Sequence, residues 1–137
     1  MRSHFEYTDA EFVLQIERYQ LDASLYSHEA HLRLAYIHIE NYGLKKAIIN
    51  INRQLVKYVG FLGAEDKFIK TLTVAAIKAV YHFKQKSSTT NFSDFITEFP
   101  RLKYNFKDLM AVHYKIDIYN SPLAKKIFLQ PDLLAFS

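Results

Sequence analysis

Three of the six histidines, His28, His31 and His38, fall on one helical stretch running from Ser27 to Tyr42. With about 100° of rotation per residue, Glu29, Arg33 and Glu40 group on one side, which reads as the wet side. The three histidines share the opposite half with Leu32, Leu34, Ala35, Ile39 and Tyr42, so they are expected to face the core. His28 and His31 are three residues apart and therefore neighbours on the helix surface, close enough to ligate one metal ion. His38 lies two turns further on and cannot join them directly. A metal needs a further ligand from another helix. His113 is the first candidate, on the stripe Phe106, Leu109, Met110. His82 is the second, on the stripe Leu72, Ala75, Ala79.

The expected metal set is thus His28, His31 and His113, and the cofactor it would hold is a divalent transition metal. The expected ligand site uses the same three histidines with Tyr114 as a proton donor to a small molecule. Whether such a site turns its ligand over is left open. No Glu-x-x-His pair supplies the carboxylates that helical-bundle metal sites use. The alternative for each inward histidine is a neutral imidazole bonded to a backbone carbonyl or to one of the ten tyrosines. His4 lies near a terminus and is given no role.

Other chemistry is excluded by composition. The 137 residues include no cysteine, which removes disulfide frameworks, thiolate zinc sites and cysteine nucleophiles. A Gly-rich phosphate loop, G-x-S-x-G and H-E-x-x-H are all missing. The net charge of +4 hides a split: residues 1–42 carry three basic and seven acidic side chains, and residues 43–137 carry fifteen and seven. Such a split can mark an anionic partner. Nucleic-acid binding is nevertheless the weaker reading, because no helix-turn-helix signature accompanies the basic residues and a solvated face accounts for them. A non-catalytic interaction module, meeting a partner chain or a second copy of itself through exposed apolar residues, is the main rival. No segment approaches a membrane span, and Met1–Tyr7 lacks the apolar stretch of a signal peptide, so a cytoplasmic protein without membrane contact is expected.

The elements that must position these residues read as all-α. Thr8 and Asp9 open a first helix to about Leu21, and Ser27 caps a second that Gly43 ends. A third runs from about Leu44 to Leu62, with Gly63 after it. A fourth, from about Glu65 to Lys84, is apolar around most of its circumference and is expected to be central. Asn91 or Ser93 starts a short helix that Pro100 stops, another covers about Asn105 to Tyr114, and Ser121–Pro122 opens a last one to about Leu129. Pro131–Ser137 is expected to pack as an extended arm. The expected architecture is one domain over 1–137, a bundle of four core helices plus short C-terminal ones, with the polar run Lys84–Asn91 as a surface loop.

The segment Ser27–Tyr36, SHEAHLRLAY, resembles a family of small, uncharacterised bacterial helical proteins with a Thr/Ser-His-x-x-His-Leu-Arg-x-Ala pattern. Ser27, His28, His31, Leu32, Arg33 and Ala35 carry the match. Gly63, Lys67, Phe68, Thr71, Leu72 and Thr73 are similar to a second family segment that opens a central helix. His113–Tyr114, Ser121–Pro122 and Pro131–Asp132–Leu133 resemble a third. The resemblance implies no established activity. Where the family pattern has His-Glu, this chain has Ile69 and Lys70. Ile cannot ligate a metal and Lys repels a divalent cation, so the departure fits a member that binds something small without turning it over.

Overall fold

The computed structural model describes residues 3–136, and every regular element among them is helical. The helices are α1 (Asp9–Glu17), α2 (His28–Tyr42), α3 (Leu44–Phe61), α4 (Lys70–Lys84), α5 (Phe92–Glu98), α6 (Arg101–Tyr104), α7 (Phe106–His113) and α8 (Pro122–Lys126). Short 3-10 turns form at His4–Glu6, Ala23–Leu25 and Glu65–Lys67.

The boundaries follow local chemistry. Thr8 and Glu11 form a reciprocal capping box at the start of α1. Ser27, Asn91 and Ser121 each accept a hydrogen bond from the backbone N–H three residues on, starting α2, α5 and α8. Gly43 takes φ = 83° between α2 and α3, a left-handed conformation that a side chain would resist. The fourth helix starts later than expected, at Lys70. Glu65–Lys67 make only a 3-10 turn, and Phe68 and Ile69 are extended. Helix α6 and the first two 3-10 turns carry no strong periodic signal and were not expected.

Contacts divide the chain into two compact units, residues 1–68 and 69–137. The division falls between Phe68 and Ile69. The polar run 84–91 lies inside the second unit.

In the first unit, α1 and α2 both pack on α3. Phe12, Ile16, Leu32, Leu34, Ala47, Ile51 and Leu55 form its core. In the second unit, α4 is buried along nearly its whole length, from Thr71 to Val80, as its apolar circumference requires. Helix α8 packs on α4, and α6 on α7. The tail following α8 has no regular structure, and its end at Ser137 lies outside the described residues. Among the described residues no helix is long and apolar enough to cross a membrane.

Candidate functional site

Helix α2 does not present its histidines to the core as a set. His28 is exposed, His31 is half-buried, and only His38 is buried. His31 Nδ1 shares a 2.7 Å hydrogen bond with the Tyr26 hydroxyl. Burial pushes the Tyr26 phenol well above its ordinary range, so this hydroxyl keeps its proton and can donate it to the imidazole.

The expected wet side is also corrected. Arg33 is 4% exposed and Glu29 is half-buried. The reason lies near the start of the chain. His4, expected to have no role, is 2% exposed and holds Glu29 through Nε2 at 2.9 Å. Arg33 donates to Asp9 at 2.9 Å, to the His4 carbonyl at 2.7 Å and to the Tyr7 carbonyl at 2.9 Å. Its guanidinium lies over the Phe12 ring at 4.8 Å. It also reaches His4 Nδ1 at 3.3 Å. A guanidinium only donates, so at this contact Nδ1 is the acceptor and Nε2 is the nitrogen that donates to Glu29. A buried arginine needs such partners, and they come from 24 and more residues away, where helical periodicity leaves no trace.

His113 is differently placed. It ends α7 and lines a cavity of about 260 Å³ in the second unit. The walls are Ala79, His82 and Phe83 from α4, Leu109 and Val112 from α7, and Leu134–Phe136 from the tail, with Lys86 and Arg101 beside them. His113 Nδ1 donates to the Leu134 carbonyl at 2.7 Å, because a carbonyl can only accept. That bond fixes the orientation of the ring and occupies Nδ1–H. The ring stacks on Phe136 at 4.1 Å. His82 is held below the ordinary imidazole range by burial, then by the positive Lys86 and by His113, against a bond to the Phe136 main chain. The cavity is therefore apolar in its body and cationic at its polar edge, and no carboxylate is among the described residues that line it.

The tail is clipped down by hydrogen bonds. Thr71 Oγ1 donates to the Ile127 carbonyl at 2.7 Å and accepts from the Leu129 N–H at 3.1 Å. Asp132 accepts from the Lys115 N–H at 3.0 Å, and the Leu133 N–H donates to the His113 carbonyl at 3.0 Å. Tyr114, expected as a proton donor, gives its hydroxyl proton to the Leu129 carbonyl at 2.7 Å. Burial and the Asp132 carboxylate push its pKa up to about 12. It lines a separate apolar hollow with Met110, Ile116 and Ile118, not the His113 cavity.

Of the expected metal set, His28 and His31 belong to the first unit and His113 to the second. Among the described residues no group of three or more His, Asp or Glu side chains could hold a metal ion. The donor chemistry around His113 also disfavours one, since Lys86 and Arg101 would repel a divalent cation. The cationic pocket beside His113 was missed in sequence because Lys86 and Arg101 lie in and after a polar loop, on no common helical stripe. Set against models of known protein families, characterised proteins and solved structures, the chain matches none of them.

Proposed function

We propose that the protein binds a small amphipathic anion, an aromatic or branched carboxylate, in the His113 cavity of its second unit. The observation that carries this reading is the cavity lining: two cations and two imidazoles at the edge of an apolar hollow, with no carboxylate among the described residues there. The apolar body of the ligand would lie among Phe83, Leu109 and Val112, and its carboxylate would meet Lys86 and Arg101. His82 strengthens the match. Its neutral form is maintained partly by the neighbouring positive charges, and a bound anion offsets them, so binding draws a proton onto His82.

Titration with phenylacetate, followed by amide chemical shifts, tests this, with benzyl alcohol as the uncharged control. Phenylacetate is expected to shift resonances at residues 79–86, 101, 109–113 and 134–136. Arg101→Ala should weaken it about tenfold, the loss of one charge-assisted contact. Equal binding of the alcohol, or shifts elsewhere only, would refute the reading.

A further inference from the structure

The end of α1 carries a second candidate site, independent of the His113 cavity and wholly within the first unit. Tyr19 has φ = 57° and is the one non-glycine residue with positive φ among the described residues. It occupies the position just past the helix cap where glycine is the default. The Gln20 N–H donates to the Gln15 carbonyl at 2.8 Å and the Tyr19 N–H to the Ile16 carbonyl at 3.1 Å, the paired bonds of a Schellman end. A side chain in this left-handed backbone is strained, and such strain persists where the side chain has work to do.

The Tyr19 ring stacks on Phe61 at 5.5 Å and borders a recess of about 180 Å³ with Glu17, Arg53, Gln54 and Lys57. Arg53 and Lys57 are one turn apart on the same side of α3. Neither is ion-paired among the described residues; Arg53 reaches only Asn50 Oδ1, at 3.4 Å. The Glu17 carboxylate is tied instead to the Gln54 amide, which donates to it at 3.2 Å. The recess therefore offers two cations without an ion-pair partner among the described residues, the Tyr19 side chain, and a carboxylate with acceptor capacity to spare, a net charge of about +1.

We infer that this recess binds a small hydroxyl-bearing phosphate monoester, such as a sugar or polyol phosphate. The phosphate lies between Arg53 and Lys57, whose two charges match a group carrying about −1.5 to −2. The Tyr19 hydroxyl donates to a phosphate oxygen, and Glu17 accepts from a hydroxyl of the ligand body. Glu17 keeps acceptor capacity beyond its bond from the Gln54 amide. The expectation differs from that for the His113 cavity, which is apolar and would reject a polyol.

Titrating the full chain with glucose 6-phosphate, followed by amide shifts, tests the assignment, with glucose and inorganic phosphate as controls. Glucose 6-phosphate should shift residues 17–20 and 53–57, glucose should not, and inorganic phosphate should bind several-fold more weakly. Tyr19→Gly should raise the melting temperature by relieving the backbone and weaken binding about tenfold. The double variant Arg53→Ala, Lys57→Ala changes exposed side chains only and should abolish binding with the melting temperature unchanged. The inference is overturned if glucose 6-phosphate shifts neither segment, if inorganic phosphate binds as tightly, or if the double variant binds like the parent. It is also overturned if Tyr19→Gly lowers the melting temperature and leaves binding intact, because Tyr19 would then serve only the stack on Phe61.

Discussion

His38 is 2% exposed, and neither ring nitrogen has a hydrogen-bond partner within bonding geometry. Burial holds its pKa below the ordinary imidazole value, and nearby Arg53 adds to this against the Gln54 amide. The folded state therefore keeps His38 neutral, while the unfolded chain takes up a proton near pH 6.5. Where the unfolded state binds more protons, stability rises with pH, so this contribution is complete above about pH 6.5 and is lost on acidification. Leucine is close in volume and has no polar atoms to leave unpaired. His38→Leu should gain roughly 1 kcal/mol at pH 7 and flatten the fall in stability between about pH 7 and 5. Urea unfolding at both pH values checks this; a loss at pH 7 would show that the imidazole makes bonds it lacks here. Arg33 predicts the opposite sign. Its fork serves Asp9 and two carbonyls at once, which an ammonium cannot do. Arg33→Lys should cost about 2–3 kcal/mol in the same assay, although both residues carry one positive charge.

At the scale of elements, caps were legible and long-range clamps were not. Thr8 with Glu11, Ser27, Gly43, Asn91 and Ser121–Pro122 announce helix ends within a few residues of sequence, and the ends fall there. The start of α4 misled because Glu65 and Asp66 look like an acidic first turn, yet they close only a 3-10 turn. Arg33 read as solvent-facing because a helical wheel weighs only neighbours on the same helix, and its partners come from residues 4–9. His113 was found by its apolar stripe, but the tail that completes its cavity has no period to read. Ser27, Arg33, Thr71, Tyr114 and Asp132 each hold main chain in place here. Thr71 is the sharpest case, since its one hydroxyl satisfies a donor and an acceptor of the tail. Thr71→Val keeps the shape and leaves both backbone groups unpaired, at a cost of about 1–3 kcal/mol. Because that tail also supplies Leu134–Phe136 to the cavity, the variant should speed amide exchange over residues 127–136 and weaken phenylacetate binding together. Faster exchange with unchanged binding would separate the tail from the site.

At the scale of the whole molecule, the two contact units differ in charge. Residues 1–68 carry eight Lys and Arg against nine Asp and Glu, whereas residues 69–137 carry ten against five. The second unit is thus the cationic one, and it holds the cavity proposed for an anion. Every residue lining that cavity, from Ala79 to Phe136, belongs to it, as do Thr71 and Tyr114, which pin the tail. Its core of Val74, Ile77, Val80, Phe95, Leu102 and Met110 comes from its own helices, and Ile118 adds to it from the turn between α7 and α8. A chain of 69 residues is near the lower limit for a self-sufficient core, so reduced stability is expected on isolation. The site needs only the local arrangement, however. Residues 69–137 produced alone should unfold cooperatively at a lower temperature and bind phenylacetate within about threefold of the full chain. Binding by both should weaken with added salt, as expected for contacts at a partly exposed cationic edge. A folded fragment that no longer binds would place an essential part of the site in residues 1–68. Binding indifferent to salt would remove Lys86 and Arg101 as the groups that hold the anion.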